Sequence, residues 1–362
     1  MRVTFLLPAA GTRPTGGFKV VYEYANALAE RGHEATVVHP AALPGHGERA
    51  ANGLRGGLAY AMKGLLRSWR PDAWFRIDAR VRMLWVPVLS PRRVPDADAI
   101  VATWWRTAEL LAAWPAAKGT KYYLLQHLET WGGPAERVLA TWRLPLQKVV
   151  IARWLQQQAD KLGERSHYVP NGLDFAAFGI DVALTARPPA SVAMLHHGYE
   201  WKGSNDGLAA LQLAKSSLPQ LRAELFGIGP PPPGLPAWIA YRRNPLQKEL
   251  RAIYNRAAIF VAPSWTEGWP LPPAEALACG CALACTDIGG HGEYAIAGKT
   301  ALMSPPGERA ALARNIVRLA TDAELRTALA EQGSAFVRQF TWQRAAERLE
   351  VVLARGQRAV AQ

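Results

Sequence analysis

Short apolar runs alternate with amphipathic stretches along most of the chain, and this alternation predicts parallel α/β layers. The strands predicted from these runs are, in order, 3–7, 34–38, 98–102, 122–125, 192–195, 224–227, 258–262 and 282–284. Residues 149–152 fit either a strand or the start of a helix. The pattern breaks near 169–174, and the tail 307–356 is predicted to be largely helical. We therefore expect two Rossmann-like halves followed by a helical tail.

The first predicted strand leads into a glycine-containing loop and then a helix. The loop is 11–17 (GTRPTGG), the helix ends at Gly32, and the strand 34–38 completes a βαβ unit. Such a unit can bind a dinucleotide, but this loop lacks the G-x-G-x-x-G spacing of that site. We therefore discount a dinucleotide-dependent oxidoreductase.

Two glutamates stand close together in the second half. Glu267 and Glu275 lie in the segment 264–275 (SWTEGWPLPPAE), directly after the apolar strand 258–262. Ligands of open α/β sheets bind beyond the carboxyl ends of the strands, where these residues are expected. The pair is therefore the first candidate for chemistry in this chain.

The glutamates are expected on a loop and on the helix that follows it. Pro272 and Pro273 suit the first turn of a helix, and Gly280 marks its end. Glu275 would then be held rigidly and could accept hydrogen bonds from a ribose diol, while the free N–H groups of the helix attract phosphate. For an isolated pair, a capping Glu267 and a solvated Glu275 are the more common roles. The surrounding motifs favour ligand binding.

Composition places the chain among globular, two-domain proteins. It has 362 residues, of which 49% are hydrophobic, enough for sizeable cores. No apolar run has the length of a membrane span, and we interpret the N-terminus as a first strand rather than a signal peptide. Cys279, Cys281 and Cys285 have no nearby pair of histidines, so we expect them to pack as small apolar residues. A cytoplasmic location follows as the default expectation.

The charge is basic and unevenly distributed. The formal net charge is +13, and residues 1–180 hold 23 of the 42 basic residues but only 14 of the 29 acidic ones. The stretch 61–93 alone has eight basic and two acidic residues. Such a surface favours anionic partners, including lipid headgroups. Nucleic-acid binding is suggested by charge alone, without a recognition motif, so we expect no specific nucleic acid.

The basic stretch overlaps an amphipathic pattern over 58–70. Its apolar positions are Leu58, Met62, Leu65, Leu66 and Trp69, opposite Lys63, Arg67 and Arg70. One interpretation is an element that lies on a membrane surface and reaches a lipid-linked acceptor. The other, which we favour at this stage, is an ordinary helix packed on the first sheet with a solvated basic face.

Taken in order, the motifs resemble a known family. The chain is similar to the family 4 (group 1) glycosyltransferases, retaining enzymes of the GT-B fold, over nearly its whole length. The most specific segments are 262–280 (APSWTEGWPLPPAEALACG) and 286–290 (TDIGG) with Glu293; supporting segments are 15–17, 169–174, 201–203, 226–229 and 250–254. The resemblance implies an α/β protein with two Rossmann-like parallel-sheet domains facing across a cleft.

The resemblance also implies domain limits and partners. We expect an acceptor-side domain over 1–178, a nucleotide-sugar-binding domain over 179–340, and a C-terminal helix over 341–362 that packs back on the first domain. The implied activity is transfer of a sugar from a nucleotide-sugar to an acceptor hydroxyl in glycoconjugate synthesis. The acceptor is a glycan, a lipid-linked molecule or a small molecule, and the protein is expected in the cytoplasm or at the inner face of the membrane.

Three residues are predicted to be catalytic by resemblance. Glu267 would contact the sugar hydroxyls near the anomeric carbon, and Lys202 would neutralise the leaving diphosphate. A lysine is unfavourable at the positive end of a helix, which favours this role for Lys202 over a solvated one. His127, just after a predicted strand, occupies the place of a cleft-facing polar residue, although a histidine bonded only to its neighbours fits equally well.

The other predicted donor contacts are spread over both halves. Glu275 would bind the ribose diol, and Gly16 and Gly17 would let the backbone approach the phosphates. The backbone amides of Gly268, Trp269 and Leu271 would face the sugar hydroxyls. No metal or cofactor is expected.

Two positions depart from the family pattern. Tyr199 stands where we expect a second phosphate-binding arginine, so His196, His197 or a basic residue of the first domain must take that role. Pro270 replaces a glycine, and proline has no N–H to donate. These departures leave open an alternative: a catalytically inactive nucleotide- or glycan-binding protein of the same fold.

Overall fold

The computed structural model describes residues 1–45 and 54–360. Contacts divide the chain into two compact units, Met1–Gly172 with Trp342–Gln362, and Leu173–Thr341. The predicted boundary between 178 and 179 falls in the irregular segment that follows this division. The C-terminal segment therefore belongs to the same unit as the N-terminus.

The first unit is built on a parallel sheet of seven strands. These are β1 (Arg2–Leu6), β2 (Glu34–Ala42), β3 (Arg82–Val88), β4 (Ala99–Ala102), β5 (Thr120–Leu125), β6 (Gln147–Val150) and β7 (Ser166–Tyr168). Their order across the sheet is β3-β2-β1-β4-β5-β6-β7, and all neighbours are parallel. Of the ambiguous residues 149–152, the first two therefore end a strand, and 151–152 connect it to the helix that begins at Arg153.

Helices cover both faces of this sheet, as parallel strands require. They are α1 (Gly16–Glu30), α2 (Leu54–Leu65), α3 (Trp105–Ala112), α4 (Ala135–Ala140), α5 (Arg153–Lys161) and the C-terminal α11 (Trp342–Val360). Helix α11 packs against α1, where the Tyr24 and Trp342 rings meet edge to face at 5.5 Å. Arg31 and Glu350 form an ion pair at 2.6 Å across the same contact.

The second unit is built on a parallel sheet of six strands. These are β8 (Ser191–Leu195), β9 (Arg222–Gly227), β10 (Ile239–Arg243), β11 (Ile259–Ala262), β12 (Ala282–Thr286) and β13 (Ala301–Ser304). Their order is β10-β9-β8-β11-β12-β13. The helices are α6 (Ser204–Ser217), α7 (Gln247–Arg256), α8 (Leu271–Ala278), α9 (Arg309–Thr321) and α10 (Ala323–Val337).

The strands predicted from buried apolar runs are all present. β4 and β11 are buried at every position, which explains why their continuous apolar runs were legible. The strands that the pattern missed are β3, β7, β10 and β13. Both β3 and β10 lie at a sheet edge and have mostly half-buried or exposed positions, and β7 has only three residues.

The segment 58–70 corrects an expectation. Helix α2 packs on the sheet, but through the stacked rings of Tyr60 and Trp85, 5.5 Å apart, rather than through the apolar face that the pattern defined. Leu58, Met62 and Leu65 are instead 66%, 49% and 81% exposed. The reason is local: β3 offers the large Trp85 ring, and an aromatic partner on the opposite side of α2 covers it.

Two further residues of the pattern lie beyond the helix. Leu66 follows its last residue and is exposed, whereas Trp69 is buried and stacks on Trp85 at 5.5 Å. No helix in the described ranges is both long and apolar enough to span a bilayer.

Candidate active site

The predicted site residues of the second unit lie where its strand order reverses. Strands β8 and β11 are neighbours in the centre of the sheet, and the chain proceeds from them toward opposite edges. Lys202 follows the carboxyl end of β8, and Glu267 follows the carboxyl end of β11. Open α/β sheets bind their ligands at such a switch point.

Lys202 and Glu267 form an ion pair there. The Lys202 Nζ lies 2.7 Å from Glu267 Oε1 and 2.8 Å from Oε2. The Ser264 hydroxyl donates to Oε1 at 2.9 Å. Glu267 is buried and Lys202 half-buried, so each charge depends on the other for compensation. The site thus holds a fixed carboxylate and an ammonium group within reach of the same ligand.

A close backbone approach brings these loops together. Gly203 has a φ of 62°, and a Cβ at this position would overlap the Pro263 carbonyl oxygen. Glycine meets both requirements, because it adopts positive φ readily and has no side chain. The Trp265 N–H donates to the Trp201 carbonyl at 2.7 Å. The loop after β8 is therefore held against the loop after β11.

A buried aspartate reinforces that junction. Asp206, in the first turn of α6, accepts a hydrogen bond from Trp265 Nε1 at 2.7 Å and one from Arg309 Nε at 2.6 Å. Its own side chain is almost fully buried, whereas that of Arg309 is mostly exposed. The carboxylate gains two charge-compensating donors, and the loop carrying Glu267 gains a second point of attachment.

The other side of Glu267 faces the loop after β12. A Cβ on Gly290 would lie 2.5 Å from the Glu267 carbonyl oxygen, so a side chain there would displace the glutamate. His291 is fully buried, and its Nδ1 lies 2.8 Å from the Thr286 carbonyl oxygen. Because a carbonyl can only accept, Nδ1 carries the proton. Burial lowers the pKa of His291, and the ring is neutral.

Glu275 lies on α8, as the two prolines predicted. It is buried, and the Tyr254 hydroxyl donates to its Oε2 at 3.3 Å. Burial, followed by the nearby Glu275 charge, raises the pKa of Tyr254 well above its ordinary value. The phenol therefore stays protonated and keeps the carboxylate in a fixed orientation.

The start of α8 leaves one backbone amide without a helical acceptor. The first N–H groups of a helix have no intrahelical acceptor, but Pro270, Pro272 and Pro273 have no N–H, which leaves the Leu271 amide. Pro270 is the preceding residue, and its carbonyl accepts from the Tyr294 hydroxyl at 2.8 Å. The Trp269 ring is buried against Tyr294 at 5.0 Å. The Trp269 side chain is therefore part of the core, and the predicted contacts of the Gly268 and Trp269 backbone amides stay a prediction.

Three aromatic rings follow β8 in a row. The His197 and Tyr199 rings are 4.6 Å apart, and those of Tyr199 and Trp201 stack at 4.3 Å with an interplanar angle of 17°. Tyr199 is half exposed. Its ring packs against its aromatic neighbours, and its part in donor binding stays a prediction.

The glycines of the first unit begin α1 at the carboxyl end of β1. A Cβ on Gly16 would meet no atom within 4 Å, and one on Gly17 would only reach ordinary contact with Gln126. Neither glycine is thus required by packing. Gln126 Nε2 donates to the Gly17 carbonyl at 3.2 Å, so the loop after β5 lies beside this turn.

His127 lies on that same loop and is half-buried. The Glu129 N–H donates to its Nδ1 at 3.4 Å, and its ring meets Trp154 edge to face at 5.9 Å. Glu129 itself is buried and accepts from the Trp105 N–H at 2.8 Å and the Tyr123 hydroxyl at 3.1 Å. Burial raises the pKa of Glu129 to about 8.

The structure therefore groups the predicted residues in two places. Lys202 and Glu267 meet in the second unit, and Gly17 meets the loop of His127 in the first. Of the supports of the first pair, sequence reasoning placed Gly203 and Gly290 in family segments without giving them a role, and it missed Asp206. The signal available for Gly203 was its place directly after Lys202; Asp206 gave none, since an acid in a first helical turn is ordinary.

Metal-ligand clusters and cysteines were the remaining candidates for chemistry in the ranges that the structure describes. There, no group of three or more His, Cys, Asp or Glu side chains is arranged to hold a metal ion. Cys279, Cys281 and Cys285 are free and buried, and burial raises the pKa of each thiol. They pack as small apolar residues, as their spacing predicted. That the reaction needs no metal stays a prediction.

Comparison with known proteins bears on the second unit most directly. Residues 238–336 match a family model described as glycosyl transferases group 1; this segment contains both Glu267 and Glu275. Over 106 residues the chain is 30% identical to O-antigen chain mannosyltransferase B of Escherichia coli, covering 29% of this chain and 27% of the relative. It is 28% identical over 166 residues to D-inositol 3-phosphate glycosyltransferase of Corynebacterium jeikeium, covering 46% and 36%.

These matches cover about a quarter to a third of the curated relatives' length, whereas likeness in three dimensions extends over the whole chain. Sucrose-phosphate synthase from Thermosynechococcus elongatus aligns with a TM-score of 0.75 at 15% identity, covering 100% of both chains. Anabaena HepE, solved in complex with UDP and glucose, aligns with a TM-score of 0.74 at 16% identity, covering 98% of this chain and 99% of HepE. The predicted fold, GT-B with two Rossmann-like domains, is confirmed.

Proposed function

We propose that the protein is a glycosyltransferase that moves a sugar from a nucleotide-sugar donor to an acceptor hydroxyl. The observation that carries this proposal is the Lys202–Glu267 pair at the switch point, beside the helix that bears Glu275. The group 1 match over 238–336 supports it, as do relatives named as mannosyl- and other glycosyltransferases. The complex of HepE with UDP and glucose supports a nucleotide-sugar as the donor.

Each residue has an assigned role in this proposal. Glu275, fixed by Tyr254, accepts hydrogen bonds from the ribose diol. Glu267 contacts the sugar hydroxyls, and Lys202 stabilises the negative charge that grows on the diphosphate. The roles of His127, Gly16 and Gly17 remain those that the resemblance implies.

The proposed chemistry is retaining, as in family 4. The bond between the anomeric carbon and the phosphate oxygen breaks, and the acceptor oxygen bonds to the same face of the sugar. The acceptor's proton passes to an oxygen of the departing phosphate, so no protein base is required. Electrostatic stabilisation by groups already in place supplies the catalysis, and no resident metal or cofactor is part of the proposal.

Location at a membrane is a separate part of the proposal. We assign the protein to the cytoplasm, at the inner face of the membrane, where an acceptor carried on a lipid would lie. The supporting observation is the exposed apolar row of Leu58, Met62 and Leu65 on α2, beside the exposed Lys63 and Arg67. An apolar row flanked by basic residues suits an anionic lipid surface.

A screen of the purified protein against a panel of nucleotide-sugars tests the activity. We expect binding of one donor and its slow hydrolysis, or transfer when an acceptor is supplied. Glu267→Gln and Lys202→Ala should each lower turnover at least about 100-fold, because each removes charge at the reacting centre. Exposed Lys248→Ala and Glu331→Gln are matched controls that should leave turnover unchanged.

The possible outcomes separate the alternatives. Near-wild-type turnover in both site variants would overturn the assigned roles. A wild-type protein that binds a nucleotide-sugar but neither hydrolyses nor transfers it would instead be an inactive binding protein of this fold. Melting curves of all four variants distinguish lost chemistry from lost folding.

A further inference from the structure

The loop after β8 holds a histidine ring in a defined protonation pattern beside Lys202. The Tyr199 N–H donates to His197 Nδ1 at 3.1 Å. A backbone N–H can only donate, so Nδ1 must be the accepting nitrogen, and the proton of the neutral ring sits on Nε2. Within the described part of the chain, no atom hydrogen-bonds to that Nε2–H. His197 therefore presents a donor without a partner at the carboxyl end of β8.

The backbone of His197 is fixed as firmly as its ring. Its N–H donates to Ser204 Oγ at 2.8 Å, and the Ser204 hydroxyl donates back to its carbonyl at 3.0 Å. Ser204 is the buried first residue of α6. On the ring's side, Tyr199 lies at 4.6 Å and is itself stacked on Trp201. This arrangement pre-orients the imidazole before any ligand arrives.

The neighbouring histidine lies in a different environment. The His196 N–H pairs with the Phe226 carbonyl on β9 at 2.7 Å, and its ring stands edge to face with Tyr241 at 6.0 Å. His197, by contrast, lies near the charges of Lys202 and Glu267. Of the two histidines that could replace the missing arginine, only His197 is influenced by the charges of Lys202 and Glu267.

We propose that His197 binds the diphosphate of the donor, its Nε2–H donating to a phosphate oxygen next to Lys202. The inference rests on the proposed function, since it assigns a second contact to the same leaving group. Within it, Tyr199 is a positioning residue: its N–H sets the tautomer and its ring supports the imidazole. His197 thus supplies the phosphate contact expected of the arginine that Tyr199 replaces, and its charge depends on pH.

A histidine in the role of an arginine makes donor binding depend on pH. The titratable and charged groups around His197 are Lys202, Glu267 and His196, and burial, followed by the Lys202 charge, lowers the pKa of His197 below its ordinary 6.5. A bound diphosphate would stabilise the imidazolium and raise that pKa. Affinity should therefore strengthen as pH falls below the bound-state pKa, and level off below the lowered pKa of the free protein.

Calorimetric titration of the full-length protein with nucleoside diphosphates between pH 5.5 and 8.5 tests the proposal. UDP and GDP are the first probes, each compared with its monophosphate and its nucleoside. His197→Asn keeps an acceptor for the Tyr199 N–H but loses the Nε2 donor. It should weaken diphosphate binding about 10-fold, the usual scale of a hydrogen bond to a charged group, and leave nucleoside binding unchanged.

Two further variants isolate the titration. His197→Gln keeps a neutral N–H near the position of Nε2, so it should bind diphosphate like the wild type at pH 8.5 yet gain nothing at pH 5.5. His196→Asn is the control and should match the wild type throughout. Equal losses for diphosphate and nucleoside in His197→Asn would mean a merely structural role and overturn the proposal.

The outcomes for the two proposals differ. If His197→Asn keeps both the wild-type affinity for diphosphate and its pH dependence while the wild type turns over a nucleotide-sugar, the His197 assignment alone is wrong. A wild-type protein that binds no nucleoside diphosphate and acts on no nucleotide-sugar overturns the proposed function and, with it, this inference.

Discussion

Glu267 and Lys202 illustrate what a single buried pair can signify. Removing two charges from water is costly, and replacing such a pair by apolar residues often leaves stability unchanged or raises it. The pair lies at the ligand-binding edge of the sheet, supported by Ser264, and stability alone does not account for it. Its place and partners favour a functional reason, which is that a diphosphate can draw on the same ammonium group.

Glu129 is the second buried acid that the structure singles out, in the first unit. Its carboxyl caps the N-terminus of α3 through the Trp105 N–H, yet no basic side chain among the described residues pairs with it. Burial raises the pKa from 4.5 to about 8. The folded protein thus holds the proton more tightly than the unfolded chain does.

The sign of the resulting pH dependence follows from linkage. Between about pH 4.5 and 8 the folded state binds more protons at Glu129, so stability falls as pH rises through this window. We predict that, from pH 5 to pH 8, the melting temperature of the wild type falls relative to that of Glu129→Gln, which cannot ionise at this position.

Thermal denaturation in buffers of matched ionic strength measures the effect. Exposed Glu136→Gln is the control for loss of one negative charge and should follow the wild type. Parallel pH profiles for Glu129→Gln and the wild type would contradict the assignment of the slope to this residue.

At the level of elements, helix α8 carries Glu275 and begins just after the loop that carries Glu267. Prolines in its first turn cost nothing because those N–H groups have no helical acceptor, and the buried strand β11 places its start at the sheet's edge. The start of this helix therefore lies at the proposed donor site. The other end, near Cys279, meets a residue that the sequence did not mark.

Arg187 is that residue, a buried arginine bonded to backbone carbonyls. Its guanidinium donates to Val182 at 2.9 Å and to Cys279 at 2.6 Å, and also to Tyr254 and Ala257 at 3.3 and 3.0 Å. The carbonyls of Tyr254, Ala257 and Cys279 lie at or near the C-terminal ends of α7 and α8, where the helix dipole favours a cation. Arg187 thus joins two helices and the segment before β8.

We predict that Arg187→Met destabilises the second unit by about 3–5 kcal/mol, since several buried carbonyls lose their donor at once. Hydrogen exchange should accelerate in peptides covering 180–187 and 247–256. Arg256→Met removes a surface ion pair with Glu224 and should cost no more than about 1 kcal/mol. Comparable exchange in the two variants would argue against this role.

On the scale of the whole molecule, the C-terminal helix packs in the same unit as the N-terminal half of the chain. Helix α11 returns to the first unit, and the Tyr122 hydroxyl donates to the Leu353 carbonyl at 3.1 Å. A Cβ on Gly356 would overlap the same hydroxyl, so the helix approaches the sheet closely. Helix α11 therefore contributes to the first unit's core rather than extending the second.

The basic first half and the exposed row on α2 lead to a prediction for the whole protein. We expect it to sediment with vesicles containing anionic phosphatidylglycerol at low salt, and less at high salt, because exposed charges are screened. Replacing Leu58, Met62 and Leu65 together by serine should reduce binding to the level seen with neutral vesicles.

A matched control uses apolar residues exposed elsewhere. Leu213, Leu246 and Val351 are 50%, 51% and 49% exposed, and their joint replacement by serine should leave vesicle binding as in the wild type. Absence of wild-type binding to anionic vesicles at low salt would remove the membrane from the proposal.

The sequence by itself determined the local secondary structure of this protein. Continuous apolar runs marked the buried strands, and two prolines before a glycine marked α8. These features depend on neighbours within a few residues, as do the positions of Glu267 and Glu275 after β11. The edge strands β3 and β10 escaped because half-exposed positions carry a weaker apolar signal.

Tertiary structure decided everything that depends on which elements become neighbours. Lys202 and Glu267 are 65 residues apart in the chain, and only the order of β8 and β11 brings them together. The apolar row on α2 has the pattern of a packing face, but the opposite side of the helix packs on Trp85. Likewise, the proton of His197 was assigned by one backbone N–H. Periodicity records how each segment divides between apolar and polar faces, but not which partner each face meets.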